Sequence, residues 1–308
     1  MSGPGGGAPA GTALHVGGVT TGTGTAPGTF GELLQGVTAR DGIDFLVTLP
    51  IDSGATATFT AEPGTDTVTV HPPHKHRARR LVRLMLDAYG FAGGGRLRLC
   101  GELPEGRGLA SSSADLVATA RAVGQALGVP MGPETIEDFL RRIEPTDGVM
   151  YPGVVSFHHR QVRLREFLGP LAPLTIVGVE EGGAVDTLEF NRQPKPFTAA
   201  ERREYDDLLE RVSHAVRTGD LRTVGQVATR SAQLNERLRP KRLLHRMISL
   251  AEEFDALGVA VAHSGTAVGV LVADSDPEAA AKLAGLRERA AALAGNATLY
   301  RSERHPAA

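Results

Sequence analysis

The stretch PEGRGLASSSADL, Pro104–Leu116, constrains the fold more than any other in this chain. Two glycines lead into three consecutive serines, and an alanine-rich run of helical character continues to Gly128. A glycine-rich turn feeding a helix N-terminus fixes the local order as strand, loop, helix. It also makes one kind of chemistry available. The first helical turn leaves backbone N–H groups without partners, and the helix dipole adds partial positive charge there. Glycines let the backbone close round an anion without Cβ clashes. Serine hydroxyls add donors, and a hydroxyl oxygen can ligate Mg2+. From the residues alone two readings stay open: a polyphosphate cradle, or a serine-capped helix after a flexible loop. The stretch is not a Walker A loop, because Gly-Lys-Ser/Thr is missing, nor a G-x-G-x-x-G dinucleotide turn.

Short β-branched runs precede it: Asp44–Pro50, Gly54–Glu62 and Asp66–Pro72. Helical spacing follows over His74–Gly90, with a strand over Gly95–Pro104. Ser111–Gly128 reads as a helix with serine caps and an acid in its first turn, and PETIEDFLRRIE as another, opened by Pro133. The second half holds a buried-type strand at Leu174–Gly182, three helical segments over residues 198–258, two strands round a small-residue turn in VAVAHSGTAVGVLVAD, a further helix and a last strand, ATLYRSE. Strands and helices without strict βαβ alternation predict an α+β fold. Three segments are expected: a disordered Gly-rich terminus over 1–21, an N-terminal lobe over 22–169 and a C-terminal lobe over 170–308.

Composition removes several function classes. The net charge of −2 gives no electrostatic case for nucleic acid or an anionic membrane. There is no tryptophan, and aromatics make up 5%, too few for base-stacking platforms. Cys100 stands alone, so neither a disulfide framework nor a cysteine metal site is available. No apolar run is long enough to span a bilayer. A cytoplasmic protein is expected, monomeric or homodimeric. The histidines of HPPHKHRARR, His71–Arg80, lack zinc spacing and read as solvated surface or as a border of the nucleotide site.

PEGRGLASSSA resembles the phosphate-binding motif of the GHMP kinases, the superfamily of galactokinase, homoserine kinase and mevalonate kinase. Two further motifs bracket it. APGTFGELLQG, Ala26–Gly36, is similar to the superfamily's N-terminal Pro-Gly strand motif, with Thr29 where several relatives carry lysine. VAVAHSGTAVGVLVA is similar to the C-terminal small-residue loop. The resemblance implies a two-lobed fold, an S5-type N-terminal lobe and a ferredoxin-like C-terminal lobe with the site in the cleft between them. It implies ATP and Mg2+ as cofactors. Together with IEPTDGVMYPG and VDTLEFN, these motifs look most like the L-threonine kinase branch, which makes O-phospho-L-threonine for the cobalamin side chain.

Roles follow from that resemblance. Asp147 is expected to act on the acceptor hydroxyl; its alternative is an Asx turn before Gly148. Pro104, Gly106, Arg107, Gly108, Leu109, Ala110, Ser111, Ser112 and Ser113 are expected to hold the nucleotide. Ser112 and Glu144 are expected to hold the metal, with Glu137 the rival carboxylate. Thr29, Glu32, Gln35, Asp186, Asn191, Ser264, Gly265 and Thr266 are candidates for the acceptor, a small hydroxylated amino acid. The alternatives are a kinase for another such compound, homoserine or serine, and a sensor of the same fold that has lost catalysis. Survival of Ser112 and Asp147 favours an enzyme.

Overall fold

A computed structural model describes residues 20–182 and 195–303. Ten strands and seven helices are assigned among them. The first half runs β1 (Thr20–Val37), β2 (Asp44–Pro63), β3 (Val68–His71), α1 (His76–Ala88), β4 (Gly93–Gly101), α2 (Ser111–Leu127), α3 (Pro133–Leu140), β5 (Val154–His158) and β6 (Arg163–Gly169). The second runs β7 (Leu174–Glu180), α4 (Ala199–Thr218), α5 (Leu221–Asn235), α6 (Leu244–Glu253), β8 (Gly258–Val261), β9 (Ala267–Ala273), α7 (Ala279–Ala294) and β10 (Thr298–Arg301). The α+β expectation holds. The strands form one sheet in the order β10-β7-β9-β8-β1-β2-β4-β3, with the β5–β6 hairpin attached to β2. That hairpin had no clear sequence signature.

The long strand β1 joins the two halves, because it pairs with β2 on one side and meets β8 at Glu32 opposite Val261. Its first half explains the alternation TTGTGT. A Cβ at Gly22 would lie 2.2 Å from the Ala122 carbonyl oxygen, and one at Gly24 2.3 Å from that of Ala118. Glycine there lets α2 lie directly on the strand. This moves the expected disordered terminus: Thr20 and Thr21 already pair with Ala61 and Thr60. Residues 1–19 lie outside the described residues, as do Asp186 and Asn191.

The apolar core falls into three clusters. One packs α1, α2 and α3 against β2 and β4. A second fills the space between β1 and helices α4 and α5, centred on Phe30, Leu33 and Tyr205. The third packs α6 and α7 on β7, β8 and β9. Helix α3 stops at Leu140, short of the expected Glu144, and the chain from Arg141 to Gly153 turns back toward α2. That return path carries Glu144 and Asp147.

Candidate active site

The chain enters α2 through Gly106 (φ 73°), Gly108 (φ 82°) and Ala110 (φ 56°), all left-handed. Ala110 is the N-cap, and no side chain caps the helix. This corrects the serine-cap expectation: Ser111, Ser112 and Ser113 fill the first helical turn, and Asp115 lies beyond it. A left-handed cap residue cannot present its side chain to the first turn as a serine in the β region does. The serine hydroxyls are therefore available for other contacts. Ser112 Oγ donates to Glu144 Oε1 at 2.6 Å. Ser113 Oγ donates to Asp147 Oδ2 at 3.3 Å and accepts from the Asp147 N–H at 3.1 Å.

The three sequence motifs meet at this loop. Gly31 N–H donates to the Gly108 carbonyl and Thr29 N–H to that of Leu109, both at 3.2 Å. From the other side, the N–H groups of Thr266 and Ala267 donate to the Arg107 carbonyl at 3.1 and 3.2 Å. A Cβ on Gly265 would sit 2.0 Å from that same carbonyl oxygen, so only glycine lets the loops touch. Behind them Lys241 Nζ and Arg239 Nε donate to the Gly265 carbonyl at 2.6 and 3.1 Å. Burial pushes the Lys241 ammonium down to about 7, and the charge of Arg239 adds to that. Neither residue carried a sequence signal beyond a basic RPKR run.

A cleft of about 660 Å3 opens over the start of α2. Gly106, Gly108, Leu109, Ala110 and the three serines line it, with Glu144, Asp147, Glu32 and Ser264. Pro104 and Arg107 do not; Arg107 instead pairs through Nε with Glu180 Oε2 at 3.0 Å. His74, Lys75, His76 and Arg77 also line the cleft, so the basic stretch borders it. Lys75 Nζ pairs with both Glu105 and Asp115.

Three carboxylates carry the electrostatics. Burial pushes Asp147 up to about 6; the Ser113 hydrogen bond opposes this and the Glu144 charge adds to it. Glu144 is raised by burial, against the Ser112 hydrogen bond and the Arg77 charge. Glu32, only 3% exposed, is raised well above the carboxylate range by burial and then by the charge of Asp147. Its position follows from β1, whose pairing with β2 shifts register on either side of it, next to the left-handed Gly31. Such bulges re-aim a side chain. Glu32 Oε2 is buried without a hydrogen-bond partner.

The other acceptor candidates sit deeper. A 2.6 Å hydrogen bond links Gln35 Oε1 to His263 Nδ1. His263 lines the cleft beside His159, ring to ring at 5.0 Å, and burial holds its pKa well below the usual value. His159 had no sequence signal. Thr29 and Thr266 are buried and do not line the cleft. Glu137 is engaged elsewhere. Its Oε1 accepts from Tyr151 Oη at 2.9 Å and from Leu164 N–H at 2.7 Å, tying α3 to β6. Cys100 is an exposed residue of β4.

Ser112 Oγ and Glu144 Oε1 form a pair of hard oxygen donors at 2.6 Å. Among the described residues no group of three His, Cys, Asp or Glu closes a metal cage. A two-oxygen site suits Mg2+, which keeps its remaining positions for water and substrate phosphates. The site thus combines a helix start whose free N–H groups could receive an anion, a pair of oxygens that could hold a divalent cation and a buried carboxylate raised to about 6.

Residues 76–152 match the family model "GHMP kinases N terminal domain", and residues 212–291 match "GHMP kinases C terminal". The chain is 28% identical over 247 residues to the L-threonine kinase of Salmonella typhimurium, covering 80% of this chain and 81% of that protein. It is 28% identical to the L-threonine kinase of Citrobacter freundii, at 80% and 84% coverage. In three dimensions it superposes on homoserine kinase from Cytophaga hutchinsonii with a TM-score of 0.72, at 17% identity, covering 92% of this chain and 95% of that one.

Proposed function

The chain belongs to the GHMP kinases, a family of phosphotransferases that act on alcohol groups, and on that premise we propose that it phosphorylates the side-chain hydroxyl of free L-threonine with ATP and Mg2+. The observation that carries the substrate class is Glu32. A buried carboxylate with an unpartnered oxygen is costly, and the neighbouring charge of Asp147 makes it costlier. A substrate ammonium relieves both carboxylates. In threonine the ammonium and the hydroxyl sit on adjacent carbons, so an ammonium on Glu32 brings the hydroxyl toward Asp147. The likeness to two L-threonine kinases supports the same acceptor.

In this scheme the backbone of Gly106–Ser113 receives the nucleotide phosphates, and Ser112 and Glu144 hold the divalent cation. Mg2+, when bound, neutralises the phosphate charge. Asp147, titrating at about 6, is ionised at pH 7 and accepts the hydroxyl proton. The threonine oxygen bonds to the γ-phosphorus as the bond to the β–γ bridging oxygen breaks. Loose phosphoryl-transfer transition states need little base strength, so Asp147 contributes orientation as much as proton transfer. The Ser113 hydroxyl holds Asp147 twice, donating to its carboxylate and accepting from its backbone N–H. Gln35, Ser264 and His263 border the acceptor. Residues 22–169 are taken as the nucleotide-binding lobe and 170–308 as the second lobe, and the enzyme as a cytoplasmic monomer or homodimer.

The test is ADP release with L-threonine beside its deaminated analogue, 3-hydroxybutanoic acid. Wild type should prefer threonine by about 100-fold or more in kcat/KM, the scale of a lost charged hydrogen bond. In Glu32→Gln that preference should shrink to within about 10-fold. Equal use of both acceptors by wild type refutes the ammonium assignment.

A further inference from the structure

The cleft is rich in carboxylates: Glu32, Glu105, Asp115, Glu144 and Asp147 all line it. Among the described residues, the Lys and Arg side chains lining it are Lys75 and Arg77. A nucleotide brings further negative charge, and its transfer gathers charge on the phosphoryl oxygens. Lys75 is committed to Glu105 and Asp115. Arg77 stands differently. Its Nε meets Glu144 Oε2 at 2.9 Å, with the arginine side chain 50% exposed and the glutamate 8%. It is a surface arginine reaching into a buried carboxylate, and the guanidinium has more donors than that one contact uses.

Its place on the helix is also unfavourable. Arg77 lies in the first turn of α1, where the dipole disfavours a cation, and no acidic residue in that turn offsets it. Capping and helix stability do not account for an arginine there.

We propose that Arg77 is a further catalytic residue, one that yields Glu144 to the divalent cation and carries its charge onto the oxygens of the transferring phosphoryl group. This rests on the assignment of Ser112 and Glu144 to Mg2+. A guanidinium and a divalent cation compete for the same carboxylate. Ser112 Oγ holds one oxygen of Glu144 and Arg77 the other, so a cation entering beside Ser112 repels Arg77. The released guanidinium is exposed enough to swing and is rooted on a helix at the rim of the cleft. Its planar fork matches phosphate oxygens as a lysine does not.

The experiment measures Mn2+ binding to the full chain by electron paramagnetic resonance, beside kcat with L-threonine, in wild type, Glu144→Gln, Arg77→Met and Arg77→Lys. Glu144→Gln should weaken Mn2+ binding by about 10-fold or more. Arg77→Met should tighten Mn2+ binding several-fold, because the competitor is gone. It should also lower kcat by about 100-fold or more, the scale of a lost charge on the transition state. Arg77→Lys should recover part of that rate, and it serves alone should Arg77→Met not fold. If Glu144→Gln leaves Mn2+ affinity unchanged, the metal assignment falls and this proposal with it. If Glu144→Gln weakens binding but Arg77→Met does not tighten it, or keeps kcat within about 3-fold of wild type, Arg77 is a static ion pair and this proposal alone falls.

Discussion

Replacing Asp147 with asparagine should stabilise the protein while disabling it. The substitution keeps the side-chain volume and removes the charge. Burial moves the Asp147 carboxyl from 3.8 to about 6. A carboxylate whose pKa is raised on folding imposes no penalty below its unfolded pKa. The penalty grows as pH rises from there and is complete above the folded pKa. At about 1.4 kcal/mol per pH unit, a shift of about two units amounts to about 3 kcal/mol at pH 8 and about half that at pH 5. The asparagine side chain carries no such penalty, and its amide can still accept from Ser113. For a chain of this size the gain should appear as a rise in Tm of about 5 °C at pH 8 and a smaller rise at pH 5. Nucleotide affinity should hold, while kcat falls by about 100-fold or more. The assays are thermal melts at the two pH values, nucleotide calorimetry and steady-state kinetics. A drop in Tm at pH 8, or an equal shift at both pH values, would refute the claim that the carboxylate is strained by burial. Near-normal turnover would demote Asp147 to a turn residue.

Three further outcomes are expected. Ser113→Ala removes a hydrogen bond that lowers the Asp147 pKa, so the acid limb of the kcat/KM profile should move to higher pH; an unmoved or lower limb would count against Asp147 as the titrating group. Gly265→Ala drives a Cβ to 2.0 Å from the Arg107 carbonyl oxygen, so the ATP KM should rise by about 10-fold or more as the loops separate, and an unchanged KM would show that this contact does not seat the phosphate loop. Glu137→Ala leaves the buried Tyr151 hydroxyl and Leu164 N–H without their acceptor, costing about 2–4 kcal/mol of stability by thermal melt, whereas its Mg2+ requirement should match wild type.

The loops that meet at the cleft were legible in the sequence because each needs a residue type that little else demands. Glycines at Gly106 and Gly108 serve positive φ, and the small-residue turn at Gly265 serves a contact with no room for Cβ. Local pattern located the helices to within a few residues for the same reason, since periodicity is a property of neighbours in sequence. What escaped was set by long-range packing. The serines were read as caps because nothing local foretells the left-handed Ala110. Glu137 and Glu144 look alike along the chain. They diverge because the chain leaves helical geometry after α3, so that one carboxylate faces Tyr151 and Leu164 and the other Ser112. The β5–β6 hairpin, with His159 just beyond β5, is held by pairing with β2 rather than by its own turn chemistry. Lys241 and Arg239 sit in a basic run that reads as surface, yet Lys241 is buried behind the Gly265 loop.

The central claim, phosphoryl transfer to the hydroxyl of a free 2-amino acid, is tested most directly by phosphorus NMR of the products formed from ATP, Mg2+ and the full chain with L-threonine, L-serine or L-homoserine in separate reactions. A phosphate monoester on threonine, formed at a higher kcat/KM than on the other two, is the predicted result. A monoester formed from homoserine with none from threonine would contradict the assigned acceptor, and no phosphorylated product from any of them would contradict the enzyme itself in favour of a ligand-binding protein of the same fold.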